Sequence, residues 1–261
     1  MNNAQAIPLD IRLMNLSASA LFVVFGLALL GMVVVSVLRH PFFAIRGITV
    51  QGDVAHNNAV TLRANVAPRL TGTFFTQDLA RARAAFEAVP WVRRALVRRE
   101  FPNRLRVDLQ EHQAVAYWGA EGDSTLLNNF GEVFEANVGD VEQDALPRLS
   151  GPEGQGAIVL AMYQGLQALF EAHDLPLGQL DLTGQGSWRA RLDNGAVLEL
   201  GRGTAAEIQE RVQRLLKTIT QVAGRYGRTP QAVEGADLRH PDGYAIRLAG
   251  VTTHSLDAKK K

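Results

Sequence analysis

From Leu13 to Leu38 the chain runs 26 residues without a charged side chain, bounded by Arg12 and Arg39. Most of these residues are Leu, Val, Ala, Phe, Met or Gly. The hydrocarbon core of a bilayer takes about 20 helical residues at roughly 1.5 Å each, so the run is long enough to cross it. A buried helix of a globular domain rarely goes so far without a charge. A cleaved signal peptide has an apolar stretch of about 7–15 residues and then a small-x-small site. This run is longer and ends in Val37-Leu38-Arg39-His40-Pro41. It therefore reads as an uncleaved signal anchor, helical from about Ala18, with a membrane segment at 14–38 after a short tail at 1–13. Gly26 and Gly31 are five apart, not four, and do not form a small-xxx-small helix face. The flanking charges, Asp10 and Arg12 against Arg39 and Arg46, do not set the orientation.

The net charge of +1 hides blocks of opposite sign. Residues 39–107 carry 12 Arg and no Lys against four acids; residues 108–181 carry 13 acids and one base; residues 182–261 carry 13 bases and 8 acids. The basic block reads as β-α-α-β-β. A strand runs from Ile45 to a turn at Gly52; Asn57 or Asn58 caps a helix stopped by Pro68; Thr76 caps a second, with Leu79, Ala82, Phe86 and Val89 inward. Val92 to Arg99 is a strand, Phe101-Pro102-Asn103-Arg104 a turn, and Leu105, Val107 and Leu109 alternate as a third strand. Six arginines on adjacent strands raise nucleic-acid binding, but no stacking-aromatic motif, helix-turn-helix or zinc ligand set accompanies them. A solvated or lipid-facing basic surface near the membrane is the preferred reading.

The remainder reads as a mixed α/β domain. Val115 to Trp118 and Asn128 to Phe134 give strands and a turn; Ile158, Met162, Leu166, Leu169 and Phe170 mark a helix face. Asp193-Asn194-Gly195 signals a hairpin, and Thr204 with Glu207 a capping box for a helix with Ile208, Val212, Leu215, Leu216 and Ile219 inward. Val233–Leu238, a turn at Pro241-Asp242-Gly243 and Tyr244–Leu248 form a last hairpin. The fold class is α+β: one N-terminal transmembrane helix, the β-α-α-β-β domain, then an extended, mostly antiparallel sheet ending in an exposed hairpin.

Catalytic signatures are missing. The absence of cysteine excludes disulfides, thiol chemistry, Cys-ligated zinc and iron–sulfur clusters. There is no phosphate-binding G-x-x-x-x-G-K-[ST], no H-E-x-x-H and no G-x-S-x-G. Gly201-Arg202-Gly203-Thr204 could hold a phosphate at a helix start, but a tight turn with a capping box explains it better. Glu111-His112 are strand neighbours that point to opposite faces. The acids between Glu121 and Asp144 could pair as in a glycosidase, though turn-rich strands usually carry such acids into solvent. No cofactor or metal is called for. Binding remains: the last strand of such a sheet offers backbone donors and acceptors to an added strand.

The order Phe43–Gly52, Gly72–Asp78, Val89-Pro90-Trp91-Val92 and Phe101–Leu105 resembles a POTRA domain, more narrowly that of the FtsQ/DivIB family of bacterial cell-division proteins. Leu149–Gly154, Ser187-Trp188, Leu200–Gly203 and Val233 through Arg239 to Tyr244 resemble that family's second periplasmic domain. The resemblance implies a POTRA domain at 39–113, an FtsQ-type β-domain at 114–252 and a flexible basic tail at 253–261. It implies a non-enzymatic, single-pass inner-membrane scaffold of the septum, N-terminus cytoplasmic and bulk periplasmic, that helps control septal peptidoglycan synthesis. FtsB and FtsL would be held by the C-terminal strands through Arg239, His240, Asp242, Gly243 and Tyr244, Arg239 pairing bidentately with a partner carboxylate and Gly243 letting the chain turn and approach closely. The family's arginine before the Ser-Trp pair is replaced by Gln185-Gly186, so Arg189 or Arg191 would take its role. Gln77 would serve upstream recruitment on the POTRA domain. Further partners implied are FtsK, FtsW, FtsI, FtsN and a second copy of the chain. The alternatives are a POTRA-containing export or outer-membrane assembly component, for which 261 residues leave no room for a barrel, and a periplasmic cell-wall enzyme.

Overall fold

The computed structural model describes residues 9–141, 146–240 and 242–251. The expected basic tail, most of the N-terminal tail, Glu142, Asp144 and Pro241 of the last turn lie outside the described residues. The chain divides into two compact units, the first ending at Glu111 and the second starting at His112.

In the first unit, helix α1 (Leu9–Leu38) begins nearer the N-terminus than the expected Ala18. Leu9 to Ser17 hold no Gly or Pro, so nothing delays the helix until the apolar run is under way. An 18-residue window within Asp10–Leu38 has a mean hydropathy of 2.9 and none of that window is buried against protein, which removes the core-helix alternative. It is long and apolar enough to cross a membrane.

The β-α-α-β-β order follows as β1 (Gly47–Gly52), α2 (Ala59–Val66), α3 (Leu79–Glu87), β2 (Val92–Glu100) and β3 (Arg104–Glu111). The sheet order is β1-β3-β2, with β1 parallel and β2 antiparallel to β3. Asn58 caps α2, its Oδ1 accepting from the N–H of Val60 (2.9 Å) and Thr61 (2.8 Å). The cap of α3 is Asp78, not Thr76: its Oδ1 accepts from Ala80 (2.8 Å) and Arg81 (3.2 Å). Thr76 stands too early to reach the first helical amides, and its hydroxyl accepts from the N–H of Thr73 instead. Ala82, Ala85 and Phe86 bury against Val92, Ala95, Val97, Leu105, Val107 and Leu109.

Among the described residues the second unit is one nine-stranded sheet with two α-helices. Its elements are β4 (Ala114–Trp118), β5 (Thr125–Asn128), β6 (Val133–Glu135), β7 (Arg148–Ser150), α4 (Gly156–Glu171), β8 (Leu177–Leu182), β9 (Trp188–Leu192), β10 (Val197–Gly201), α5 (Ala205–Gly224), β11 (Val233–Asp237) and β12 (Ala245–Leu248). The strand order is β12-β11-β10-β9-β8-β7-β4-β5-β6. Neighbours are antiparallel except β10/β11, β7/β8 and β4/β7. A parallel pair needs a long crossover, and α4 and α5 are the crossovers of β7/β8 and β10/β11. Both helices bury one stripe in the same core: Val159, Met162, Tyr163, Leu166 and Phe170 from α4, and Ile208, Val212, Leu215, Leu216 and Ile219 from α5. The stripe of α4 starts at Val159; Ile158, one step round the helix, is 57% exposed. Thr204 and Glu207 form the expected capping box, so the Gly201–Thr204 turn serves the start of α5.

Candidate partner-binding edge

Strand β12 ends the sheet, paired only with β11 among the described residues. Its inward side is set by a backbone bond just beyond the strand, from the N–H of Ala249 to the carbonyl of Ala232 (2.9 Å). Alternation along a strand then turns the N–H of Arg247 inward and that of Ile246 outward. The outer edge of β12 is therefore a short row of backbone groups able to accept another strand.

The face of the sheet away from α4 and α5 carries a polar ladder running to this edge. Cross-strand register aligns Ser150, Asp181, Arg189, Glu199, Asp237 and Ala245 in one row. Arg148, Gln179, Arg191, Val197, Gly235 and Arg247 form the next. Arg189 Nε donates to Glu199 Oε1 at 2.8 Å, and Arg247 lies 3.3 Å from Glu234. Arg189 and Arg191 are thus exposed on this face, Arg189 held within the ladder. Sequence reasoning missed Glu199, Asp237 and Arg247. Strand alternation alone would place Arg247 on the face of Asp237, but which strands are neighbours is not written locally.

Arg239 continues the ladder past the end of β11. Its Nε donates to Asp237 Oδ1 (2.9 Å), its Nη2 to Oδ2, and its backbone N–H to Oδ1 (3.0 Å). The guanidinium fork expected to face a partner carboxylate is engaged within the chain. A bidentate grip on a partner requires Arg239 to leave Asp237. The side-chain hydrogen bonds from Arg239 are the main cause that holds the Asp237 carboxyl at about 2, against an ordinary 3.8; the Arg239 backbone N–H and charge, and His240, add to it. A carboxyl depressed by folding contributes stability above its unfolded value and loses it as pH falls through its folded one. The Asp237 contribution is complete above about pH 4 and fades toward pH 2. Both side chains are partly solvated, so it is small. Carbon-detected NMR titration should place the Asp237 midpoint near 2 in the native chain, and Arg239→Gln should return it toward 3.8; an unmoved midpoint would show that the pair does not persist in solution.

Tyr244 sits on the other side of the edge. It is half-buried against the helix-side core, and its hydroxyl is 2.6 Å from Thr218 Oγ1 on α5. His240 and Asp242 are exposed between the two strands. Gly243 is not required by geometry: its φ is outside the left-handed region, and a Cβ there would meet nothing within 4 Å. The sequence-derived residues therefore divide. Arg239 lies on the open face beside the edge and Tyr244 on the helix face of it, whereas Arg189 and Arg191, on the open face of β9, stand three strands in from β12 and are not brought to the edge.

Gln77 is 3% exposed, with Nε2 donating to the carbonyl of Asp78 (3.1 Å) and Oε1 buried without a partner. Its side chain is not a surface contact. The first unit offers instead a cleft of about 560 Å³ between β1 and α2, lined by Ile45, Arg46, Ile48, Leu62, Arg63 and Leu70 among others. Of the acids considered for catalysis, Asp123 accepts from the Ala120 N–H (2.8 Å) and Glu132 from Asn128 (2.7 Å), both local turn bonds. No group of three or more His, Asp or Glu able to hold a metal occurs among the described residues.

Both units match known protein families. Residues 43–112 match the POTRA domain, FtsQ-type, and residues 116–239 match Cell division protein FtsQ/DivIB, C-terminal. The chain is 40% identical to Cell division protein FtsQ of Burkholderia pseudomallei (strain K96243) over 243 residues, 93% of this chain and 94% of the relative. It is 38% identical to the protein of that name from Thiomonas arsenitoxydans over 94% of this chain and 90% of the relative. With the one from Bordetella pertussis it shares 36% over 97% of each. Similarity at this level along nearly the whole length, with the expected fold in both units, means that the chain belongs to the FtsQ/DivIB family of cell division proteins.

Proposed function

We propose that the chain is a membrane-anchored, non-catalytic scaffold of the division machinery whose β12 edge captures an extended segment of the FtsB–FtsL pair. The observation that carries this reading is the open outer edge of β12, flanked by Arg239 and Arg247 on one face and Tyr244 on the other. Main-chain pairing supplies the affinity of such an added strand, and the flanking side chains supply its register. The basic side chains suit a partner segment carrying carboxylates. The anchor is α1, with the N-terminus cytoplasmic and the chain after Leu38 periplasmic at the inner membrane of the septum. Through this capture the chain would link early and late division proteins and help control septal peptidoglycan synthesis. Upstream recruitment, with FtsK as the family's candidate, is assigned to the POTRA surface around the β1–α2 cleft rather than to the buried Gln77. FtsW, FtsI, FtsN and a second copy are further candidate partners.

The test is capture of purified periplasmic FtsB–FtsL by the detergent-solubilised full chain. Arg239→Glu should weaken capture by at least about tenfold, or about 1.4 kcal/mol. Tyr244→Phe, which removes the Thr218 bond but keeps the ring, should weaken it less. Failure of the native chain to bind, or native affinity in Arg239→Glu, rejects the assignment.

A further inference from the structure

We propose that the base of the POTRA domain is itself a membrane-binding surface, in which Phe42, Phe75 and Phe101 enter the phospholipid interface and Arg39, Arg46 and Arg104 meet the headgroups. This base begins where α1 ends. The carbonyl of Leu38, the last helical residue, accepts from the Thr73 hydroxyl at 2.6 Å. Phe74 N–H donates to the Phe43 carbonyl at 2.7 Å, and Ala44 bridges to Thr73. The loop holding Thr73 to Thr76 is thereby fastened at the level where the apolar run stops, which is the level of the bilayer surface.

That loop is rigid. Arg99 Nε donates to the Phe74 carbonyl (2.6 Å) and Arg99 Nη2 to the Gln77 carbonyl (2.7 Å). A chain of edge-to-face rings runs across it: Phe42 to Phe43 at 5.2 Å, Phe43 to Phe75 at 4.9 Å, Phe75 to Phe74 at 5.1 Å, and Phe74 to Phe101 at 6.1 Å. Phe101 lies in the turn between β2 and β3, so a separate part of the domain reaches the same level. Phe42 is 63% exposed, Phe75 44% and Phe101 77%. Three large exposed apolar side chains, one from the turn after α1, one from the braced loop and one from the β2–β3 turn, mark an interaction surface. The cations fit the same occupant. Arg39, Arg46 and Arg104 are exposed at this end of the sheet, where Gly47 stands opposite Arg104 and the Arg46 N–H donates to the Asn103 carbonyl (2.9 Å). Glu100, the acid nearest in sequence, has Oε2 withdrawn from solvent. Apolar rings set among basic side chains, beside a helix that crosses a membrane, are the composition of an interfacial lipid-binding surface.

The proposal rests on α1 crossing the membrane, and the test separates the two. The chain has no cysteine, so single nitroxide labels can be placed cleanly on the full chain in phosphatidylcholine–phosphatidylglycerol vesicles. Labels at Leu27→Cys in α1, Asn103→Cys in the turn and Asp53→Cys at the far end of β1 are read by collision with oxygen, which favours lipid, and with a water-soluble nickel chelate. The expected result is a lipid value at Leu27, a severalfold higher oxygen-to-nickel ratio at Asn103 than at Asp53, and loss of that difference in Phe42→Ser/Phe75→Ser/Phe101→Ser. Phe101→Ser alone, in an exposed turn, should give a partial loss and guards against misfolding of the triple variant. An aqueous value at both Asn103 and Leu27 overturns the membrane reading as a whole. Lipid at Leu27 with water at Asn103 overturns the seat alone, as does low collision with both reagents at Asn103, which would mean burial against a second copy.

Discussion

Replacing Glu111 with alanine is expected to lower the stability of the first unit by about 3 kcal/mol, the cost of stranding buried donors around a lost carboxylate. Glu111 is 6% exposed and ends β3. Its Oε1 accepts from Asn57 N–H (3.1 Å) and Nδ2 (2.9 Å); its Oε2 accepts from His56 N–H (3.0 Å) and faces His56 Nδ1 at 3.1 Å. The His56 ring stacks on Trp91 with centroids 3.8 Å apart. One carboxylate thus ties the end of β3 to the approach of α2, where the helix dipole favours an anion. Glu111→Gln keeps an acceptor oxygen and should lose roughly half as much. Hydrogen exchange of the β1–β3 amides in the full chain measures both, and a loss below about 1 kcal/mol for alanine would mean that water replaces the carboxylate without penalty.

The second large effect is expected at the partner edge. Ile246→Pro should weaken FtsB–FtsL capture by about a hundredfold, near 2.8 kcal/mol, while the sheet stays folded. The N–H of Ile246 faces away from β11, so proline removes a donor that the native fold does not use, and an edge strand tolerates it. An added strand would lose that hydrogen bond and meet the pyrrolidine ring. Ile246→Val preserves the N–H and should bind as the native chain does. Affinity within threefold of native in the proline variant would show that capture does not proceed by strand addition.

Features set by near neighbours in the chain were legible in the sequence. The 26-residue uncharged run specifies α1 because hydropathy and length are local quantities. Asn58, the Asn194-Gly195 turn and the Thr204–Glu207 capping box could be read because caps and turns are closed within a few residues. The errors were also local in origin. Thr76 and Asp78 both suit a cap, and only the observed start of α3 at Leu79 selects Asp78. Ile158 and Val159 both extend an apolar stripe, and only packing against the sheet selects Val159.

The candidate site was half legible for the same reason. Arg239 and Tyr244 stand out as residues of a terminal hairpin, but their opposite orientations follow from Asp237 and Thr218, partners set by register and by the packing of α5. Glu111 read alone is a strand acid beside His112; its partners lie 54 and 55 residues earlier. By itself the sequence determined the membrane anchor, the two modules of opposite charge and the order of their elements, because these depend on composition and short-range periodicity. Tertiary structure alone decided which arginines are already paired, which face Tyr244 takes and which rings gather at the end of α1, because those contacts join segments that only the folded sheets bring within hydrogen-bonding distance.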